Sequence, residues 1–336
     1  MRDIAIASNV SQSTVSRVLN NAPTRVPIAP ETRERVRAAA KRLGYRPNPL
    51  ARGLRGAATM LLGAVVRDIT DPFFAGAFES LSVEAMARGY NVVLGNAHAR
   101  ADEAYALTAV LETRHCDAIV LLGDMQDQPQ LLADLHDSFV PVVALWQGST
   151  LHELPAVDVD NDAGVLAGLE HLVGLGHRRI GFVSGRRFGD LREREAAFLA
   201  FMRDRFGGVP DGYVVQVPNT PADGDRALRT LMSLDEPPTA IMTSTDTLAF
   251  GVLHGAHEVG RSIPRDLSVV GFDDIFLASH TVPALTTLRM PTAEIIAAGV
   301  QMAIERIGQG GAAREPSIKL FTPTLIVRRS TAPPPG

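Results

Sequence analysis

From about residue 59 to residue 272 the chain alternates apolar runs with amphipathic segments, and this alternation restricts its fold more than any other feature. "MLLGAVV" (60–66), "YNVVLG" (90–95), "AIVLL" (118–122) and "VPVVAL" (140–145) form a first series of predicted strands. "RIGFVS" (179–184), "YVVQV" (213–217), "TAIMT" (239–243) and "SVVGF" (268–272) form a second. Helical patterns run between them, over about 75–88, 102–114, 163–175, 192–205 and 247–259. Strands that alternate with helices pair in parallel, and two series predict two doubly wound units with a cleft at their strand ends. At 336 residues and 46% hydrophobic, the chain has ample apolar material for both.

Charge divides the chain differently. Residues 1–58 carry 11 basic and 3 acidic side chains, so a +8 head precedes a body of −12 within a net charge of −4. A small basic module on a large acidic one suits a polyanion partner. The head's local pattern predicts three short helices, over about 3–8, 12–19 and 30–43. Asn9 tolerates the left-handed backbone that a tight turn between the first two demands, and Ser11 is a good N-cap for the second. In that second helix Val15, Val18 and Leu19 make one narrow apolar stripe, while Gln12, Ser13, Ser16 and Arg17 occupy the other face. Val36, Ala39, Ala40 and Leu43 are the expected buried side of the third helix, which begins at Pro30-Glu31 and ends at Gly44. Two helices joined by a tight turn and buttressed by a third form a helix-turn-helix unit, whose second helix enters the major groove.

The ordered pieces "VSRVLN", "TRERV", "LGYRPN" and "LARGLR" resemble the N-terminal signature of the LacI/GalR family of bacterial transcription regulators. The resemblance continues through "TDPFF", "VDNDAG", "LGHRRIGFVSG", "VVGFDDI" and "PALTTLRMP", nearly the whole chain. It implies a helix-turn-helix domain over 1–46, a hinge over 47–58, and a two-lobed, periplasmic-binding-protein-like α/β core over 59–330 with two doubly wound parallel sheets. Lobe 1 is expected over about 59–159 and 290–318, and lobe 2 over about 160–289 and 319–330. The chain would cross between them near Val159, Arg289 and Lys319, and the helix over 292–307 would return to lobe 1.

By the same resemblance, Gln12, Ser13 and Arg17 fall where relatives read bases, and Thr14, Ser16, Asn20 and Thr32 where they hold phosphates. Leu54 matches the leucine that wedges into the minor groove when the hinge folds on DNA, with Ala51 one turn earlier. Departures include Asn9 in place of a usual glycine and a longer loop, "NNAPTRVPIAPET".

The body lacks a G-x-S-x-G elbow, a Gly-rich phosphate loop and an H-E-x-x-H zinc motif, so neither an enzyme nor a cofactor or metal is expected. His254 and His257 read as surface or packing histidines, and Cys116 as a small buried hydrophobe. A polyhydroxylated ligand needs fixed polar groups and flat apolar walls. Phe73, Phe74, Trp146, Thr245 and Asp273 fall at predicted strand ends, and Arg194 near the start of a helix. The resemblance places Arg194 and Asp273 at effector-bonding positions and Phe73 and Trp146 at or beside pocket walls. Thr245 stands where relatives carry asparagine, and Trp146 where many sugar binders carry an acid.

The expectation is a homodimeric regulator, most often a repressor in this family, of palindromic double-stranded operator DNA. A sugar or sugar derivative would be its effector, with a purine or nucleoside responder, or a corepressed or activating regulator, as the alternative. No apolar run reaches the roughly 18 residues of a membrane span, and Met1-Arg2-Asp3 opens no secretion signal, so the cytoplasm is the expected compartment.

Overall fold

The computed structural model describes residues 1–19, 27–45, 58–113, 116–124, 135, 138–148, 154–185, 189–309 and 316–335. It divides into two compact units, Met1–Thr59 and Met60–Gly336.

In the first unit α1 (Arg2–Ser8), α2 (Gln12–Leu19) and α3 (Pro30–Arg42) enclose Ile4, Ala5, Val15, Val18, Val36, Ala39 and Ala40. The turn after α1 forms because Asn9 takes φ 52°, ψ 52°, a left-handed pair that its short polar side chain tolerates. Ser11 caps α2, accepting the Thr14 N–H at 3.1 Å. Leu43 does not join the core and is 47% exposed. The helix stops one residue earlier in a Schellman turn: Gly44 is left-handed, the Tyr45 N–H donates to Ala40 O, and the Gly44 N–H donates to Lys41 O. Tyr45 packs on the core instead.

The second unit is built on two six-stranded sheets. Its elements in chain order are β1 (Leu61–Val66), α4 (Pro72–Ala87), β2 (Asn91–Asn96), α5 (Ala101–Thr113), β3 (Ala118–Leu122), β4 (Val142–Leu145), β5 (Ala156–Val159) and α6 (Asn161–Gly174). They continue with β6 (Ile180–Gly185), α7 (Gly189–Phe206), β7 (Val214–Val217), α8 (Pro221–Met232), β8 (Ala240–Thr243), α9 (Asp246–Glu258) and β9 (Ser268–Asp273). A 3-10 turn (Phe276–Ser279), β10 (Thr286–Arg289), α10 (Thr292–Arg306), β11 (Ile318–Phe321) and β12 (Thr324–Ile326) complete the unit.

Sheet 1 has the order β11-β5-β4-β3-β1-β2 and defines lobe 1; sheet 2 has the order β12-β10-β9-β8-β6-β7 and defines lobe 2. Sheet 1 is parallel throughout, whereas sheet 2 carries one antiparallel edge, β12 on β10. The last crossing between lobes falls a few residues beyond Lys319. Lys319 pairs with Val157 inside sheet 1, so the chain leaves lobe 1 only after Phe321 and enters sheet 2 at Thr324. In lobe 1, α10 packs so closely on β4 that a Cβ at Gly299 would meet Leu145 Cδ2 at 2.6 Å.

The strands read as nearly continuous apolar runs because both sheet faces are covered: β3, β4, β6, β8 and β9 are buried at every residue. Cys116 is buried beside this core, and burial pushes its thiol up to about 11. Among the described residues no helix is long and apolar enough to cross a membrane.

Candidate functional site

In both sheets the strand order reverses beside the first strand of the lobe, β1 in sheet 1 and β6 in sheet 2. Ligands in open α/β sheets sit at such switch points, beyond the C-terminal strand ends. There the structure brings together Arg67, Asp71, Phe73, Trp146, Asp190, Arg194, Thr245, Asp273 and Met290 around a cavity of about 10 Å³.

Arg194 organises the lobe 2 side. It lies in the second turn of α7, 2% exposed, with its guanidinium carbon 3.7 Å from the centre of the Phe272 ring. Its Nε donates to Asn161 Oδ1 at 2.8 Å, and its Nη1 to Ser244 O at 2.6 Å and Asp273 Oδ1 at 3.2 Å. Asp273 ends β9 at φ 119°, and burial holds its carboxyl well above the usual range although Arg194 pulls it down. The adjacent Asp274 points elsewhere, to Arg289 at 2.7 Å and Arg328 at 2.6 Å. Beneath the cleft Asp246 accepts from Thr287 Oγ1 and the Ile275 N–H; burial raises it to about 7, against the pull of those two bonds.

On the lobe 1 side Phe73 stands edge-on to Trp146, with ring centres 5.1 Å apart. Asp71 sets this up by capping α4, where its Oδ1 accepts the Phe73 N–H at 3.1 Å. Burial raises the Asp71 carboxyl, with Arg67 the main opposing influence. Phe74 lies outside the cavity. It is 1% exposed in the lobe 1 core, beneath the Arg67 guanidinium and against Gly123, because residues one apart on a helix face different directions.

Polar links join the lobes across the cleft. Arg67 Nη1 meets Asp190 Oδ1 at 3.2 Å with both side chains under 10% exposed. Asp124 Oδ2 accepts the Gly189 N–H at 2.6 Å. Thr245 Oγ1 donates to Asn219 Oδ1 at 2.6 Å, and Asn219 Nδ2 donates to Asp71 Oδ2 at 3.0 Å. Thr245 also caps α9 through the Leu248 N–H, so its hydroxyl is committed in both directions.

Of the residues singled out from sequence, Phe73, Trp146, Arg194, Thr245 and Asp273 meet here. Arg67, Asp71, Asp190, Asn219 and Met290 were missed. Arg67 directly follows β1 and Asp71 directly precedes "PFF", so strand-end position and helix capping carried a signal for those two. In the head, Gln12, Ser13 and Arg17 are exposed on α2, and Thr14, Ser16 and Thr32 are half-buried. Ser11 Oγ lies 2.8 Å from Ser13 Oγ and 2.9 Å from Thr14 Oγ1, a hydroxyl cluster at the N-terminus of the helix. Asn20, Ala51 and Leu54 lie outside the described residues.

Residues 1–48 match the family described as bacterial regulatory proteins, lacI family, and residues 169–331 match the periplasmic binding protein-like domain. The transcriptional repressor PurR of Escherichia coli O1:K1 is 32% identical over 341 residues, covering 100% of this chain and 97% of its own. The chain belongs to the LacI family. Catabolite control protein A of Priestia megaterium is 31% identical over 303 residues, covering 89% of this chain and 90% of its own. Among solved structures the Lac repressor dimer bound to operator and the anti-inducer ONPF shares the fold, with a TM-score of 0.87, 24% identity and 98% of each chain covered. The CelR–cellobiose complex aligns with a TM-score of 0.70 at 28% identity, again over 98% of each chain. This LacI-family protein is a DNA-binding transcriptional regulator under the control of a small ligand.

Proposed function

We propose that the chain is a homodimeric repressor acting in the cytoplasm, and that a sugar or sugar derivative bound between its lobes sets its operator affinity. The observation that carries the ligand class is the mixed wall of the cleft: the rings of Phe73 and Trp146 with the Asp71 carboxyl on the lobe 1 side, and Asp190, Arg194 and Asp273 on the lobe 2 side. Flat apolar surface facing dense hydrogen-bonding groups suits a ring with many hydroxyls. The CelR relative, whose complex holds cellobiose, agrees with this reading.

Two-fold symmetry of the dimer pairs with a palindromic operator. Each head places Gln12, Ser13 and Arg17 against base edges, and Thr14, Ser16 and Thr32 against phosphates; Asn20 is assigned to phosphate as well. Ala51 and Leu54 form the hinge contact in the minor groove. Ligand that replaces the links across the cleft changes the relation between lobes and so the affinity for DNA, and linkage requires DNA to change ligand affinity by the same factor.

A thermal-shift screen followed by operator titration tests the proposal. A saccharide at about 100 times its dissociation constant should stabilise the protein by about 2.7 kcal/mol and shift operator binding. A response to nucleosides alone would replace the sugar with a purine-type effector.

A further inference from the structure

We infer that Asp158 is the positioning residue of the effector cleft: from outside the cavity lining it fixes the left-handed turn that stands Trp146, with its unpartnered indole N–H, in the cavity wall. The inference rests on the cleft being the effector site.

Trp146 follows β4 with φ 58°, a conformation that a bulky side chain keeps only where its surroundings over-determine it. Its own N–H donates to Val157 O at 3.3 Å. The turn that follows is held by one carboxyl. The Gln147 N–H donates to Asp158 Oδ2 at 3.0 Å, the Gly148 N–H also bonds this carboxyl, and the Val159 N–H donates to Oδ1 at 2.8 Å. Gln147 Nε2 adds a tie to Gly123 O at 2.6 Å.

Asp158 sits on β5, 2% exposed. Burial pushes its carboxyl up to about 7; the bonds from Val159 and Gly148 oppose that rise, and the charges of Asp190 and Glu193 add to it. A covered parallel strand favours an apolar residue at such a place, since a buried carboxyl carries a desolvation cost that only good hydrogen bonds offset. The bonds that offset it here lead into the turn after Trp146 and along β5.

The turn presents a specific group. Trp146 is 1% exposed, stands edge-on to Phe73 and lines the cavity, yet its Nε1 is a buried polar atom with no hydrogen-bond partner among the described residues. A buried donor of this kind is costly until an acceptor reaches it. The ligand chemistry that satisfies it is an oxygen acceptor, a hydroxyl or ring ether, at the indole edge.

Asp158→Asn tests the positioning role, because the amide keeps the shape but turns one acceptor into a donor facing a backbone N–H. Trp146 is the only tryptophan, so its emission reports the turn without interference. The expected result is a red-shifted emission maximum and readier quenching by acrylamide, in a variant whose far-UV circular dichroism matches that of the parent. With cellobiose, glucose and adenosine as probes, any of them that binds the parent should bind both Asp158→Asn and Trp146→Phe about tenfold more weakly, the size of one buried hydrogen bond. Unchanged emission and quenching in folded Asp158→Asn overturns the inference. Should that variant not fold, hydrogen exchange of the parent decides: protection of the Gln147 amide on the order of a hundredfold or more supports the clamp, and free exchange removes it. If none of the probes changes operator binding, the effector reading fails, while the emission result still decides whether Asp158 positions Trp146.

Discussion

Helix α2 and the cleft both present polar side chains, and they hold them in opposite states. On α2, Gln12, Ser13 and Arg17 are exposed, and the hydroxyl cluster around Ser11 is local to one helical turn. In the cleft, Arg67, Asp190, Arg194 and Asp273 are nearly excluded from solvent and already bonded to one another or to backbone. A surface that meets a polyanion gains from solvated donors, because counterion release drives association. A small-molecule site gains from dipoles fixed in advance in a dry setting, which recognise one arrangement of atoms. On the proposed reading, DNA would find its partners waiting in water, whereas a ligand would have to replace bonds that also join the lobes. Under that proposal, competition for those bonds would tie binding to a change of shape.

The contrast breaks most readily at Arg194. Arg194→Met leaves Asp273 buried without its countercharge and should cost about 3–5 kcal/mol in urea unfolding, with Arg194→Met/Asp273→Leu recovering much of that loss. A single-variant cost under about 1 kcal/mol would show that the cleft is as solvated as the helix.

A slightly smaller effect is expected from pH. Asp158 has a folded value of about 7 against an ordinary 3.8, so its neutral form stabilises the fold fully below 3.8, and that contribution disappears as pH rises to about 7. Relative to the parent, Asp158→Asn should therefore gain stability between pH 5 and pH 7.5, read from urea midpoints. His171 and His177, lowered by burial, act in the other direction, losing stability as pH falls below 6.5. A parallel response of parent and variant would place the Asp158 carboxyl in a solvated setting.

On the DNA side, Arg17→Ala should weaken operator binding by about 1–3 kcal/mol and relax base discrimination, without moving the unfolding midpoint of the core. Equal affinity for operator and scrambled DNA in both proteins would take base reading away from Arg17. The smallest change is at Ser11→Ala, which removes the α2 cap and should lower the stability of the head by about 1 kcal/mol. Calorimetry that finds the second unit perturbed instead would end the separation between the two regions.

Much of this was legible because it is periodic. The stripe of Val15 and Val18 announced α2, and runs such as "AIVLL" announced central strands buried on both faces. Asn9 signalled a left-handed turn by residue type alone. The misses have physical causes. Leu43 belonged to the helical pattern, but the turn at Gly44 took it out of the helix. "AVDV", "TTLR" and "IKLF" are short and interrupted by polar or charged residues, so β5, β10 and β11 emerge only from their pairing. Phe74 shared every sequence property of Phe73 and differed only in which way its Cα–Cβ bond points from α4.

By itself the sequence determined the family, a three-helix head before an α/β body, and the residue types offered at strand ends, because these follow from local periodicity, caps and motif order. Tertiary structure alone decided which of those side chains meet. Arg194 reaches Asp273, Arg67 reaches Asp190 and Asp158 reaches the turn after Trp146 only because two sheets built from non-contiguous segments bring their strand ends to one cleft. Pairing between lobes depends on sheet order and crossings, which no local pattern encodes.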